Sequence, residues 1–419
     1  MKQDDFDFVA VRDLRLGLFV DLELGWMSHP FASSRFKIAN ARQLLALKNL
    51  GTDRIRCVPS KSDPLEAKPL ETRADSPAIQ ERAAPQSAQP LRAAQQQSLN
   101  LCERRFSETA QQYRKTIALL HTHPVQAARM CQDMVQCLAS EILEQGDTAI
   151  RLLTEVSVDK LAMHPVNVTV LSLLLGRAMG LQETALVELG LAAFLHDIGK
   201  TELPERLRRP EENFSIAEHN AYQSHVAQGV QWARQMELGE GVVQAIAQHH
   251  ELADGSGFPS HLKHEAIVPA ARILALVNRY DGLCNSAKPS AAMTPHEALA
   301  LIFAQCKNRF DAATLSAFIH MIGVYPPGSV VQLNDERHAL VVSVNPARPL
   351  KPRVIVHVAG ASRQDALMLD LEIAPNAGIR RSLKPHSLPA AAFEYLQPSQ
   401  RVCYFFEPVG KGVKAALLA

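Results

Sequence analysis

Leu191-Ala192-Ala193-Phe194-Leu195-His196-Asp197-Ile198-Gly199-Lys200 is an apolar run that ends on an imidazole, a carboxylate and then an ammonium. Such a run reads as a helix packed in a core, with His196 and Asp197 delivered at its buried end. Burying a carboxylate beside histidine is costly unless a cation neutralises it. A divalent metal supplies that cation. The carboxylate of Asp197 can bridge two ions held roughly 3.5–4 Å apart, an arrangement that activates a shared water at neutral pH.

Working outward, the chain holds sixteen histidines, and seven of them (196, 219, 225, 249, 250, 261, 264) fall between positions 196 and 264. One histidine on an apolar helix is ordinarily a core residue, whereas several at helical spacing beside a carboxylate form a ligand pattern. His164 precedes the apolar residues Val166, Val170, Leu171, Leu174 and Leu175. His225 lies in Tyr222-Gln223-Ser224-His225-Val226, and His249-His250-Glu251 is followed by Asp254-Gly255-Ser256-Gly257-Phe258-Pro259. The glycines at 255 and 257 allow a tight turn and close backbone approach, and Pro259 fixes its exit. His219, His261 and His264 read as solvated surface residues. Glu251 reads as a partner that orients a histidine, and Asp254 as a brace for the glycine turn.

These motifs, in this order, resemble the HD-GYP branch of the HD phosphohydrolases over about residues 150 to 333. The likeness continues through Arg272-Ile273-Leu274-Ala275 and from Phe310-Asp311 to Tyr325-Pro326-Pro327-Gly328. It implies two divalent ions, iron or manganese, and hydrolysis of cyclic di-GMP to pGpG or GMP. One ion would use His164, His196 and Asp197; the other would use Asp197, His225, His249 and His250. Asp197 and Lys200 would be catalytic, with Lys200 facing a phosphate oxygen. Further substrate contacts would come from Gly255, Gly257, Phe258 and Pro259 in the loop, and from Arg272, Asp281 and Lys288 beyond it. Gly25-Trp26-Met27-Ser28-His29-Pro30-Phe31 resembles an uncharacterised domain that often precedes HD-GYP modules, with His29 structural.

Several positions depart from the family. Asn278 stands where the last ligand of the first ion is an aspartate, so that ion should be held weakly, with Asp281 three residues on offering partial compensation. Lys160 replaces the carboxylate that a third ion needs, so no third metal is expected. Phe258 keeps the ring of the family tyrosine without its hydroxyl. Lys288-Pro289-Ser290-Ala291-Ala292 retains one charge of a basic pair suited to guanine or phosphate.

The rest of the chain sets the frame. At 419 residues it should hold two or three compact units. The reading is mainly α: a small N-terminal α+β domain (1–62), a flexible linker (63–100), a helical connector (101–149), the HD-type helical bundle (150–328) and a C-terminal β-rich appendage (329–419) that covers it. The appendage follows from period-two runs at Val330 to Leu333, Ala339 to Val344 and Val354 to Val358.

With 44 Lys plus Arg against 43 Asp plus Glu, nothing favours a nucleic acid duplex or an anionic membrane as partner. Seven scattered cysteines without a CxxC pair read as reduced thiols. There is no apolar run near the roughly 20 residues needed to span a bilayer, and the acidic start is unlike a signal peptide. A cytoplasmic protein is expected. Its ligand would be cyclic di-GMP; GGDEF-type or other signalling proteins, and a second copy of the chain, are candidate partners. Two functions from different classes remain open: a cyclic di-GMP phosphodiesterase, and a weak or inactive HD-GYP domain that serves as a cyclic di-GMP or protein-binding receptor.

Overall fold

The structure, a computed structural model, describes residues 6–22, 35–38, 41–48, 52, 54–63, 88–153, 161–209, 214–286, 288–363, 366–374 and 377–409. Lys160 and the segment from Gly25 to Phe31 lie outside them. The chain divides into two compact units, Met1–Gln89 and Pro90–Ala419.

The first unit carries β1 (Asp7–Ala10), β2 (Phe19–Asp21), β3 (Arg35–Lys37), α1 (Ala41–Lys48) and β4 (Arg54–Cys57). Its antiparallel sheet has the order β1-β4-β2-β3. Leu14, Leu18, Val20, Ile38, Leu47 and Ile55 form the core. Alternation of apolar and polar residues here produces the expected α+β unit.

The second unit takes in α2 (Ala88–Leu119) from Pro90 onward, then α3 (Pro124–Glu144) and β5 (Thr148–Leu152). The expected linker up to residue 100 is therefore corrected over its last part. Ala and Gln, abundant there, are good helix formers, and α2 gains tertiary support: the Gln95 amide bonds the backbone of Met368, and Ser98 donates to Glu407 at 2.6 Å.

The helical bundle contains α4 (Met163–Ala178), α5 (Glu183–Leu195), α6 (Ile216–Gln223), α7 (His225–Gln235), α8 (Glu240–Gln248), α9 (Pro269–Cys284), α10 (Pro295–Cys306) and α11 (Ala312–Ile322). α4 is buried almost all round, with Val166, Val168, Val170, Leu171, Leu173 and Leu175 inaccessible to solvent. It is accordingly the central helix, packed on α5, α9, α11 and α3. Each such side chain contributes about 1.5–3 kcal/mol by leaving water, and truncating Leu171 to Ala should cost about 2–5 kcal/mol.

After the bundle come β6 (Val330–Leu333), β7 (His338–Val344), β8 (Arg353–Val356), β9 (Met368–Asp370), β10 (Ile379–Leu383), α12 (Ala390–Leu396) and β11 (Tyr404–Pro408). They form the expected C-terminal β-rich appendage, and their sheet also takes in a strand from before the bundle. β5, which precedes the bundle, pairs antiparallel with both β7 and β11, so the sheet joins the two flanks of the helical region. The boundary expected at residue 149 is corrected on this ground: a short strand such as Thr148–Leu152 has too little period-two signal to be seen without its partners. β11 packs on α4, and the Tyr280 and Tyr404 hydroxyls meet at 3.3 Å.

Candidate metal centre

Helix ends converge on one point. His164 lies in the first turn of α4, His196 and Asp197 follow α5, His225 begins α7, and His249 and His250 follow α8. The turn from Ile198 to Glu202 is pressed against α7: a Cβ on Gly199 would stand 2.0 Å from the carbonyl oxygen of His225 and 2.4 Å from the amide nitrogen of Gly229. Only glycine permits that approach, which brings His225 to Asp197.

The tautomers are fixed by what each ring nitrogen meets. Nδ1 of His196, His225 and His249 faces the carbonyl oxygens of Ala193 (2.8 Å), Tyr222 (2.5 Å) and Ile246 (2.6 Å). A carbonyl only accepts, so each Nδ1 carries the proton and each Nε2 presents a lone pair. Nδ1 of His164 likewise donates to Asp281 Oδ2 at 2.6 Å. The Nε2 atoms then face each other in pairs, His164 and His196 at 3.2 Å, His225 and His249 at 3.4 Å. Two lone pairs at such distances repel unless a cation lies between them.

Asp197 divides its two oxygens between these pairs. Oδ2 lies 3.6 Å from His164 Nε2 and 3.4 Å from His196 Nε2; Oδ1 lies 3.6 Å from His225 Nε2 and 3.8 Å from His249 Nε2. Two ligand sets share this carboxylate: His164, His196 and Asp197, and Asp197, His225, His249 and His250. Oδ1 of Asp197 and Nε2 of His250 are buried without a hydrogen-bond partner. Orphaned acceptors among imidazoles fit divalent metal ions.

The electrostatics agree. Burial pushes His196 down, His225 down to about 3 and His250 well below the ordinary range, which keeps these rings neutral and able to ligate. Burial would raise Asp197, but His196 and Lys200 hold it ionised, well below the usual carboxylate range. Burial would likewise lower His164, yet its bond to Asp281 raises it.

The other expected residues are placed as follows. Lys200, expected to face a phosphate, donates to Asp197 Oδ2 at 2.6 Å, and its ammonium lies 5.2 Å from the Tyr222 ring centroid. Gly257 is buried against backbone, where a Cβ would meet Leu252 N at 2.4 Å; Gly255 takes a φ of +80°. Phe258 stacks on His250 with centroids 4.4 Å apart, and Pro259 is exposed beside it. Asn278 is half-buried and Lys288 is exposed.

Asp281 is corrected as a substrate contact: it is fully buried, and its carboxylate is taken by His164, Asn167 and Asn285. Arg272, partly buried, donates through Nε to the Ile267 carbonyl and meets His264 Nε2 through Nη1 at 3.3 Å. His264 keeps an exposed side chain, as expected of a surface residue, and also pairs with Asp311 at 2.6 Å. Glu251, expected to orient a histidine, accepts instead from the backbone amides of Ser260 and Leu262 and so braces the loop. Asp254 does brace the glycine turn, through Ser256 N at 2.9 Å.

Asn167 was missed by sequence reasoning. It is inaccessible, and its amide joins Asp281 to the backbone of Val402 and Tyr404. Its only sequence signal is a polar side chain one turn after His164 in an apolar helix.

Residues 150–314 match the HD domain family. Residues 8–131 match DUF3391, a domain of unknown function. A cyclic di-GMP phosphodiesterase of Pseudomonas aeruginosa is 26% identical over 363 residues, covering 85% of this chain and 86% of that protein. A cyclic di-GMP phosphodiesterase of Borreliella burgdorferi is 24% identical, covering 46% of this chain and 51% of its own. A 3′3′-cGAMP-specific phosphodiesterase of Vibrio cholerae is 26% identical over 39% of this chain and 36% of that protein. The two ligand sets described above fall within the residues that match the HD domain family, and that match implies bound divalent metal. Among the described residues, no helix is long and apolar enough to cross a membrane.

Proposed function

We propose that this chain hydrolyses a phosphodiester of cyclic di-GMP in bacterial second-messenger signalling, giving pGpG or GMP. The observation that carries the reading is the division of Asp197 between two histidine sets, each with its lone pairs turned inward. The relative from Pseudomonas aeruginosa, similar along most of both chains, supports cyclic di-GMP as the substrate.

His164, His196 and Asp197 would hold one ion, and Asp197, His225, His249 and His250 the other. Two divalent ions, iron or manganese, would supply Lewis acidity and a water of lowered pKa. The protein's own part is to keep His196, His225 and His250 neutral by burial, to fix through the Nδ1 bonds which ring nitrogen faces inward, and to keep Asp197 ionised. Lys200 places a positive charge next to that carboxylate, at the edge where phosphate charge would develop. Phe258 stacks against His250 and shields it from water. The N-terminal unit would serve regulation, and the chain would work in the cytoplasm; GGDEF-type proteins and a second copy of the chain are the candidate partners.

The test is incubation of anaerobically purified protein with manganese or ferrous iron and either cyclic di-GMP or 3′3′-cGAMP, with products separated by chromatography. Cyclic di-GMP should be consumed, and Asp197→Ala should abolish turnover. Consumption of 3′3′-cGAMP alone would reassign the substrate; binding without turnover in metal-loaded protein would make the domain a receptor.

A further inference from the structure

Two asparagines behind the metal centre bond to the segment entering β11 and to the same carboxylate. Asn167 donates through Nδ2 to Asp281 Oδ1 and to the Val402 carbonyl, both at 2.8 Å, and accepts from the Tyr404 amide at 3.0 Å. Asn285 donates to Asp281 Oδ1 at 2.9 Å and to the Val402 carbonyl at 3.0 Å, and accepts from the Val402 amide at 2.9 Å. The Asn285 amide thus pairs with residue 402 as a peptide group of a neighbouring strand would. With Oδ1 of Asp281 held by two donors, Oδ2 is left to His164 Nδ1.

We infer that Asn167 and Asn285 are positioning residues that fasten Asp281, and through it His164, to the segment entering β11, so that the C-terminal strand sets the affinity of the first ion. The chain of contacts is short and buried, and every link is a hydrogen bond. Asp281 fixes the tautomer and the direction of the His164 ring, and partners of this kind typically change metal affinity by about 10–100-fold when removed. β11 is also held by α2, the helix that opens the second unit: Ser98 bonds Glu407, Cys102 donates to the Phe406 carbonyl at 3.5 Å, and Arg105 lies over the Phe405 and Phe406 rings. A displacement of α2 along β11 is therefore felt at His164.

This inference rests on the two-metal reading, and manganese titration of the metal-free full chain separates the two. Wild-type protein should bind manganese, and Asn167→Ala should weaken one ion roughly tenfold or more while leaving the other unchanged. Asp281→Asn should produce a loss at the same ion, and the double variant should lose little more, because both changes break one path. A role in stability alone would lower the melting temperature with both ions held at wild-type affinity, and that result would overturn the inference. If Asn167→Ala does not fold, Asn285→Ala, at the half-exposed end of α9, decides by the same criteria. Wild-type protein that takes up no manganese would sink the metal reading itself.

Discussion

His225 Nε2 and His249 Nε2 stand 3.4 Å apart with both Nδ1 protons committed to carbonyl oxygens, so a cation between them relieves a repulsion built into the fold. Chelation should therefore destabilise the protein rather than leave it indifferent. At metal concentrations 100-fold above the dissociation constant, each bound ion adds about 2.7 kcal/mol. Differential scanning calorimetry should show a drop of several degrees on chelation, restored by manganese or ferrous iron. An unchanged melting temperature would mean that the imidazoles pack without metal.

Asn278 is half-buried on α9, at the position where the HD-GYP resemblance implies an aspartate ligand. Asn278→Asp should raise occupancy of the His164 site and increase turnover, because a charged oxygen binds a divalent ion better than an amide oxygen does. Elemental analysis of wild type and variant after identical dialysis checks this. Equal occupancy and equal turnover would remove position 278 from the site.

Gly199 is a steric requirement of the centre. Any Cβ there collides with the backbone of His225 and Gly229, so Gly199→Ala must push α7 away from Asp197. Loss of the ion held by His225, with turnover reduced at least tenfold, is the expected result. A crystal structure of the variant with His225 in place would refute it.

Asp311 caps α11: Oδ1 accepts from Thr314 N at 2.7 Å, and the carboxylate pairs with His264. Burial would raise its pKa, but the Thr314 and His264 bonds lower it from 3.8 to about 2. A depressed carboxyl stabilises the fold fully above its unfolded value and loses that contribution as the pH falls through the folded one. Asp311→Ala should thus cost about 1 kcal/mol near neutrality, and the difference from wild type should shrink as the pH falls from 3.8 toward 2. Urea unfolding at a series of pH values measures it.

The ligands were legible because motif chemistry is local: His196 and Asp197 are adjacent, as are His249 and His250, and each pair follows an apolar helix. What stayed hidden depends on distant partners. Asn167 bonds residues 114 and 235 positions away, one of them through a backbone carbonyl, and no helical or strand period encodes that. Asp281 was visible as a carboxylate near the site, but its direction, toward the back of His164 and not toward substrate, is set by α4 packing on α9. α2 was misread up to residue 100 because a helix of Ala and Gln without aromatics has the composition of a linker. Only contacts with Met368 and Glu407, far along the chain, distinguish the two.

Pairing of β5 with β11 has a practical consequence for anyone who wishes to transplant the catalytic part into another protein. A fragment cut after residue 328 would lack Val402 and Tyr404, leaving the Asn167 side chain in the interior with two of its bonding groups unmet. Each such orphan costs about 1–3 kcal/mol, a large share of the net stability of an ordinary domain. The smallest transferable piece must extend through Pro408, so gene fusions designed from the motif span alone will yield insoluble or metal-poor protein.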